Sequence, residues 1–166
     1  TDQSRFEEML FQGAKTLGIK RGICMVDFII RDHQPVLIEM TPRPGGDCLP
    51  FLLLEAGNLD IITLALDFAE KKPLSLNGTD GFSPHMGVRI FAHKSGVLKR
   101  IDLDRLRSLP GIKAMHFIRK PGHVITLPPQ DYDSWLLGHV IMQTDRDKDP
   151  EEQCRLISEL ISLEID

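Results

Sequence analysis

The stretch VLIEMTPRPGGD, residues 36–47, decides the fold of this chain. An apolar run ends at Glu39, and a loop with two prolines, Arg43 and a pair of glycines follows it. Pro42 and Pro44 each fix φ and remove a backbone N–H donor, so this loop is stiff. The sequence therefore places a carboxylate near the end of a strand and a guanidinium four residues later in a loop of restricted shape.

The residues before this stretch predict its partner strand. GICMVDFII (22–30) and PVLIEM (35–40) read as two strands, joined by a turn at RDHQ. Since the turn centres near residue 33, Asp27 is expected opposite Glu39, with both side chains on one face and Cβ atoms about 4.5–5.5 Å apart. Asp27 lies amid apolar residues, so we expect burial to add to the repulsion between the carboxylates.

A cation would resolve this repulsion, and Mg²⁺ suits oxygen ligands and nucleotide phosphates. The spacing alone leaves two alternatives open: each acid pairs with its own arginine, or the strands are offset. Arg43 has the forked guanidinium that binds phosphate or carboxylate in bidentate geometry, but it could instead pair with Glu39 or Asp47. Asp47 could be a general base, a ligand for a substrate amine, or a helix cap.

Two further features of the loop and the second half bear on anion binding. The N–H groups of Gly45 and Gly46 could form an anion-binding nest. Arg89 lies in the middle of the predicted strand HMGVRIFAH, where it either lines a site or is an exposed strand residue. The six histidines are scattered without an i, i+4 metal pair, and no Ser-His-Asp or Cys-His arrangement is visible.

The order of predicted elements indicates an α+β fold. Residues 4–17 predict a helix, and 51–70 predict helical structure interrupted at GNLD, where Asn58 or Asp60 could cap a second helix. The second half predicts mostly antiparallel strands. A closing helix is expected over DPEEQCRLISELISLEI (149–165), with Asp149 as its N-cap.

Composition excludes several classes of protein. The chain has 166 residues and a net charge of −4, without the basic face of nucleic-acid-binding proteins. Its apolar runs are far shorter than the ~18 residues that span a bilayer, no signal peptide is visible, and three widely spaced cysteines fit a reducing compartment. We therefore expect a cytoplasmic location, with no nucleic-acid or membrane partner. Because the chain begins without Met, close to an amphipathic helix, we expect it to be a piece of a longer protein.

Taken together, MVDFII and PVLIEMTPRPGGD resemble the C-terminal half of an ATP-grasp ligase. The resemblance implies ATP and Mg²⁺ as cofactors, with Asp27 and Glu39 as metal ligands. It places Glu39, Thr41 and Arg43 beside the cofactor, and Arg43 against an acyl phosphate or the substrate carboxylate. Thr41 stands where the family usually has asparagine, which leaves open whether one or two ions bind.

The second half is similar to the C-terminal subdomain of the biotin-carboxylase-like branch of this family. HMGVRIFAH and PPQDYDSW carry the similarity. It implies that Arg89 contacts a substrate anion, that the loop at Tyr132, Asp133 and Ser134 is structural, and that Asp47 falls near the catalytic glutamate of that branch. PGGD replaces the QVEH-like run of biotin carboxylase, which favours ligases that join a carboxylate to an amine, including amino acids.

These implications define one leading hypothesis and two alternatives. Residues 1–72 are expected to form the C-terminal lobe of an ATP-grasp domain, and 73–166 a β-rich subdomain closed by a helix. The chain would be part of a carboxylate–amine ligase that works through an acyl phosphate. It would be inactive without an upstream lobe from the same longer chain or from a partner subunit. Small carboxylate and amine substrates and a possible homodimer are implied. The alternatives are a non-catalytic ATP-grasp-derived module and an enzyme like biotin carboxylase or carbamoyl-phosphate synthase.

Overall fold

The computed structural model describes residues 3–74 and 81–166 and divides the chain into two compact units. The first unit comprises Thr1–Pro50 and Asp60–Leu76, and the second comprises Phe51–Leu59 and Asn77–Asp166. The regular elements of both units are helices and antiparallel strands, so the predicted α+β class is confirmed.

The first unit is built on a hairpin. Helix α1 (Gln3–Thr16) precedes β1 (Met25–Arg31), which pairs with β2 (Gln34–Thr41) as a two-stranded antiparallel sheet. The turn residues Asp32 and His33 have φ of 50° and 61°. Positive φ at both central residues gives a turn whose twist matches that of the flanking strands, so a two-residue connection is possible here.

A β-bulge interrupts this hairpin. Phe28 lies opposite Leu37 and Asp27 lies opposite Glu39, so β2 carries one extra residue, Ile38, at this point. Leu37 and Met40 both approach Gly13 of α1, although residues three apart on a regular strand point to opposite faces. The extra residue reconciles the two contacts, because it lets β2 present both side chains to the helix.

Two more helices follow the hairpin in sequence. Helix α2 (Leu49–Gly57) starts at the last residues of the first segment and continues into the second unit, whereas α3 (Ile61–Ala69) belongs to the first unit. Asp60 caps α3 by accepting hydrogen bonds from the backbone N–H of Thr63 at 2.9 Å and from its hydroxyl at 2.7 Å. This confirms one of the two predicted caps.

Helix length bears on membrane crossing. Among the described residues, no single helix has both the length and the apolar content to cross a membrane. Only α2 and α3 taken together, as a broken pair, meet that test of length and composition.

The described residues of the second unit form two three-stranded antiparallel sheets. The first has the order β3 (His85–Phe91), β7 (Leu136–Gln143), β5 (Ile112–Phe117), and the second has the order β6 (Val124–Ile125), β4 (Gly96–Asp102), β8 (Ser162–Ile165). Helices α4 (Asp104–Arg107) and α5 (Pro150–Leu160) also belong to this unit, together with most of α2.

Alternation along the strands gives this unit its core. Val88 and Ile90 of β3 and Val140 and Met142 of β7 pack in one cluster with Leu106 of α4 and Ile157 of α5. The residues that alternate with them along the strands, including Arg89 and His139, therefore lie on the other face of the sheet. A second cluster joins the two sheets of the unit through Ala92, Leu98, Ile125, Leu137 and Ile165.

The predicted closing helix is wrong over its last five residues. Asp149 does cap α5, accepting from the Glu151 N–H at 3.1 Å, but the helix ends at Leu160. Ser162–Ile165 form β8 on the edge of β4, and Ile165 is buried in the second cluster. Burial of that side chain against β4 outweighs the helical periodicity of the sequence, because tertiary packing routinely overrides local propensity.

Candidate metal and anion site

The pairing of β1 and β2 brings the two predicted metal ligands together. Asp27 and Glu39 are direct cross-strand partners, so their side chains leave the same face of the hairpin. Helix α1 covers the other face: the Phe6 and Phe28 rings lie 4.7 Å apart, and Phe28 neighbours Asp27 in β1. The two carboxylates therefore lie on the face of the hairpin that turns away from α1.

The predicted burial of these acids is wrong, because both Asp27 and Glu39 are exposed. The apolar residues beside Asp27 do not enclose it: Ile29 is 50% exposed and Ile38 is 64% exposed. Repulsion between the carboxylates therefore acts in a solvated environment, where it is weaker than in a buried one. Geometry, and not desolvation, is the feature that makes this pair a candidate site.

Thr41 contributes to the same cluster. Its hydroxyl donates a 2.5 Å hydrogen bond to Oε1 of Glu39, which holds that carboxylate beside the loop. Within residues 3–74 and 81–166, no group of three or more His, Cys, Asp and Glu side chains could hold a metal ion. A cation at this site would therefore take two protein carboxylates and complete its shell with other oxygen ligands.

The loop after β2 fixes the position of Arg43. Its backbone N–H donates to the Thr41 carbonyl at 2.8 Å, and its Nη1 donates to the Pro44 carbonyl at 3.0 Å. The alternative of an ion pair between Arg43 and Glu39 does not occur in the part of the chain that the structure describes. The exposed guanidinium keeps further donors, since arginine carries five N–H groups.

The glycines of this loop differ in their roles. A Cβ on Gly45 would lie 2.7 Å from Cδ1 of Leu49, so a larger residue there would displace the end of that side chain. Gly46 has open space around it. Neither glycine has a positive φ; the residue of this loop with a positive φ is Asp47, at 57°. Asp47 is exposed and lies two residues before α2.

Arg89 lies in the second unit, in a row across three strands. It is the cross-strand partner of His139, which is in turn the partner of His116, so all three share one sheet face. The two imidazole rings lie 5.2 Å apart, and Phe51 of α2 stacks on His116 at 3.7 Å between ring centroids. Residues 116 and 139 are distant in sequence, so only strand pairing shows this cluster.

The loop at 128–135, which was expected to be structural, is tied to its surroundings by side chains. Arg119 forms an ion pair with Asp133 at 2.7 Å. The buried Ser134 hydroxyl accepts from the Thr126 N–H at 3.0 Å and donates to the Thr126 carbonyl at 3.1 Å. Hydrogen bonds from the backbone N–H of Asp133 and from Ser134 hold the pKa of the Asp131 carboxyl below its ordinary value. The contacts with Arg119 and Thr126 join the loop to the rest of the second unit.

Comparisons with known proteins place the fold. Neither protein-family profiles nor curated protein sequences match this chain. Two similar solved structures are an L-amino acid ligase from Bacillus licheniformis, with a TM-score of 0.80, and a phosphoribosylglycinamide synthetase from Anaerococcus prevotii, with a TM-score of 0.77. Each is 19% identical; they cover 99% and 100% of this chain, respectively, and this chain spans 43% of the length of either protein.

Both similar structures are ATP-grasp enzymes, and the matched part is their C-terminal portion. The chain therefore has the fold of the C-terminal portion of ATP-grasp enzymes, as the resemblance of the hairpin and loop predicted. An identity of 19% establishes the fold and leaves the reaction and the roles of single residues to be argued from this chain.

Proposed function

We propose that this chain is the C-terminal part of an ATP-dependent ligase that joins a carboxylate to an amine through an acyl phosphate. The single observation that supports this most is the placement of Asp27 directly opposite Glu39, with Arg43 four residues further along in a stiff loop. Because a similar solved structure is that of an L-amino acid ligase, this class of reaction is the first to test.

The donor set fits Mg²⁺. This ion usually takes one or two protein carboxylates, several waters and substrate phosphates, and it prefers oxygen ligands. Asp27 and Glu39 would hold it, and the Thr41 hydroxyl would orient the Glu39 carboxylate. When bound, Mg²⁺ would neutralise charge on the phosphates of ATP. Two carboxylates suffice for one ion, and a second would depend on ligands beyond Thr41.

The loop would act on the transferred group. In the proposed reaction a substrate carboxylate oxygen attacks the γ-phosphorus of ATP and ADP leaves; the amine then attacks the acyl carbon and phosphate leaves. Arg43 would bind the acyl phosphate or the carboxylate, since its planar fork matches both. Asp47 would accept a proton from the attacking amine, and Arg89 would bind a substrate anion.

A further part of the protein would complete the nucleotide site. None of the described residues of the first unit is fully buried, and its large apolar side chains include Phe11 at 63% exposed and Leu66 at 61% exposed. Apolar surface of this extent favours association. We propose that an upstream lobe, in the same chain or in a partner, covers it and supplies the rest of the ATP site.

The test uses the longer protein that carries such a lobe. Glu39→Gln keeps the size of the side chain and its hydrogen bond acceptor but removes the charge. We expect ADP release with amino acids or other small carboxylates to be lost while the circular dichroism spectrum is unchanged. Glu159→Gln, at an exposed position on α5, is the matched control and should release ADP normally.

A second candidate function has two observations in its favour. The exposed carboxylates and the threonine at position 41 also suit a binding module of this fold that has no catalytic role. Normal ADP release by Glu39→Gln would show that the reaction does not require Glu39 as a metal ligand. Failure of the wild-type protein to cleave ATP with any carboxylate and amine would favour the binding module. ATP cleavage that depends on bicarbonate would instead favour a reaction like that of biotin carboxylase.

A further inference from the structure

Two arginines line one small pocket in the first unit. The pocket has a volume of about 230 Å³ and is lined by Arg21 and Arg43, with Phe68 and two prolines among the other residues. None of its lining residues is acidic. Pockets for drug-sized ligands usually enclose about 300–1,000 Å³, so this one is large enough for a small anion or the head group of a ligand and too small for a whole nucleotide.

Each guanidinium is held at the pocket by its own contacts. Arg21 lies over the Phe68 ring, 5.1 Å from its centroid, and its Nη2 lies 3.5 Å from the Lys72 carbonyl. Arg43 is tied to the Pro44 carbonyl and is flanked by the two prolines that stiffen its loop. Neither of these contacts neutralises charge, because an aromatic face and a carbonyl are uncharged partners.

Two cations that line one pocket without an acid repel each other. An oxyanion between them would remove that repulsion and accept hydrogen bonds from both forks, which match carboxylate and phosphate oxygens in bidentate geometry. We propose that Arg21 is a second anion-binding residue, which with Arg43 holds the oxyanion of the carboxyl or phosphoryl group that reacts.

The position of the pocket agrees with this assignment. Residues 21–23 precede β1 and residues 42–44 follow β2, so the pocket lies at the end of the hairpin where Met25 pairs with Thr41. Asp27 and Glu39 are the third pair from that end. The Asp27–Glu39 pair is therefore two residues, or about 7 Å along the strands, from the Met25–Thr41 pair at that end. An oxyanion in the pocket would thus lie near the carboxylate pair.

Sequence patterns did not single out Arg21. It lies in the connection between α1 and β1, and nothing about GIKRG alone distinguishes it from a solvated basic residue. Only the fold shows that it shares a pocket with Arg43. The identity of the anion rests on the proposed ligase reaction, whereas the two-arginine pocket does not depend on it.

Chemical modification tests the pocket without any assay of catalysis. Phenylglyoxal reacts with accessible arginines, and mass spectrometry measures the rate at each site. Inorganic phosphate or acetate, compared with chloride at equal ionic strength, should slow modification of Arg21 and Arg43 in parallel. Arg31 is the internal control, because it is exposed in the same unit and does not line the pocket.

The outcomes separate the two possible groups. Stronger protection by phosphate assigns the pocket to a phosphoryl group, and stronger protection by acetate assigns it to a carboxylate. Protection of Arg43 without Arg21, or of neither residue, would overturn the proposal.

Kinetics of the longer protein give a second readout. Arg21→Gln should raise the KM for the carboxylate or for ATP by roughly 10-fold or more, with a smaller effect on kcat, and Arg21→Lys should recover part of this loss. Phe68→Leu should raise the same KM by a smaller factor, because it removes the aromatic face under Arg21. Arg31→Gln should leave both constants unchanged. An unchanged KM in Arg21→Gln would overturn the assignment of Arg21 as an anion-binding residue. Anion protection of Arg21 and Arg43 in a protein without ligase activity would support the anion pocket and refute the proposed function.

Discussion

Asp27 lies directly opposite Glu39, although the two-residue turn at Asp32 and His33 would by itself place Ile38 there. From the turn, Arg31 pairs with Gln34 and Phe28 with Leu37. Continued without interruption, this register pairs residue 27 with residue 38. The bulge at Ile38 shifts it by one, so a carboxylate instead of an isoleucine faces Asp27. Bulges commonly re-aim side chains next to active sites.

Removal of one carboxylate of this pair should weaken the metal site without unfolding the hairpin. Asp27→Asn keeps the shape of the side chain at an exposed position and removes one anionic ligand. In the longer protein proposed above we expect more Mg²⁺ to be needed for half-maximal ADP release, since the hard cation exchanges an anionic carboxylate oxygen for a neutral amide oxygen. A titration with Mg²⁺ measures this; an unchanged midpoint would show that Asp27 is not a ligand. Asp67→Asn, on α3, is the control.

The left-handed backbone at Asp47 separates its conformational role from its chemical one. Asp47→Gly and Asp47→Ala lose the same carboxylate, but only glycine adopts φ of 57° without cost. Asp47→Gly should therefore exceed Asp47→Ala in unfolding free energy by about 1 kcal/mol, measured by urea denaturation. If Asp47 is the general base, both variants should lose activity equally, by roughly 10²–10⁴-fold. If Asp47→Gly instead retains more activity than Asp47→Ala, in the order of their stabilities, the role of Asp47 is structural.

The turn of the hairpin should accept a stabilising substitution. His33 has φ of 61°, where glycine is favoured over any residue with a Cβ. His33→Gly should raise the unfolding free energy by about 1 kcal/mol, while the position remains far from the proposed anion pocket. Urea denaturation followed by circular dichroism measures the change. A destabilised His33→Gly variant would contradict the left-handed turn.

The start of α3 should respond to acid. Hydrogen bonds from the side chain and then from the backbone of Thr63 hold the pKa of Asp60 below its ordinary value of 3.8. A carboxyl whose pKa is lowered by folding stabilises the folded state at neutral pH, and this contribution is lost as the pH falls through the folded-state pKa. The Tm of Asp60→Asn should therefore depend less on pH below about 4 than that of the wild type. Parallel pH dependence of the two proteins would refute this.

Local patterns in the sequence were enough to predict the hairpin and the stiff loop, and they narrowed the cap of α3 to Asn58 or Asp60. They predicted the Asp27–Glu39 pair because the turn was placed near residue 33, without knowledge of the bulge. The sequence did not predict that both carboxylates are exposed. Apolar neighbours in a strand do not reveal whether another helix or sheet packs over the face on which the carboxylates lie. The predicted roles of Arg43, Asp47, Thr41 and Arg89 remain predictions.

Features that depend on strand pairing were out of reach of the sequence. Arg89, His139 and His116 become neighbours only through the order β3–β7–β5. The end of α5 was missed for the same reason: Ile165 is buried because β8 pairs with β4, a strand far earlier in the chain. Periodicity in a single segment carries no information about such distant partners.

The chain passes between the two units three times, after residues 50, 59 and 76. The segment Phe51–Leu59 thus belongs to the second unit but is bounded in sequence by the first. No single cut in the chain yields the units as separate, intact pieces: a C-terminal piece beginning at Asn77 would lack Phe51, which stacks on His116, and the Ala56 carbonyl that accepts from the Ser83 N–H. Expression of the second unit alone therefore needs residues 51–59 rejoined by circular permutation or supplied as a peptide.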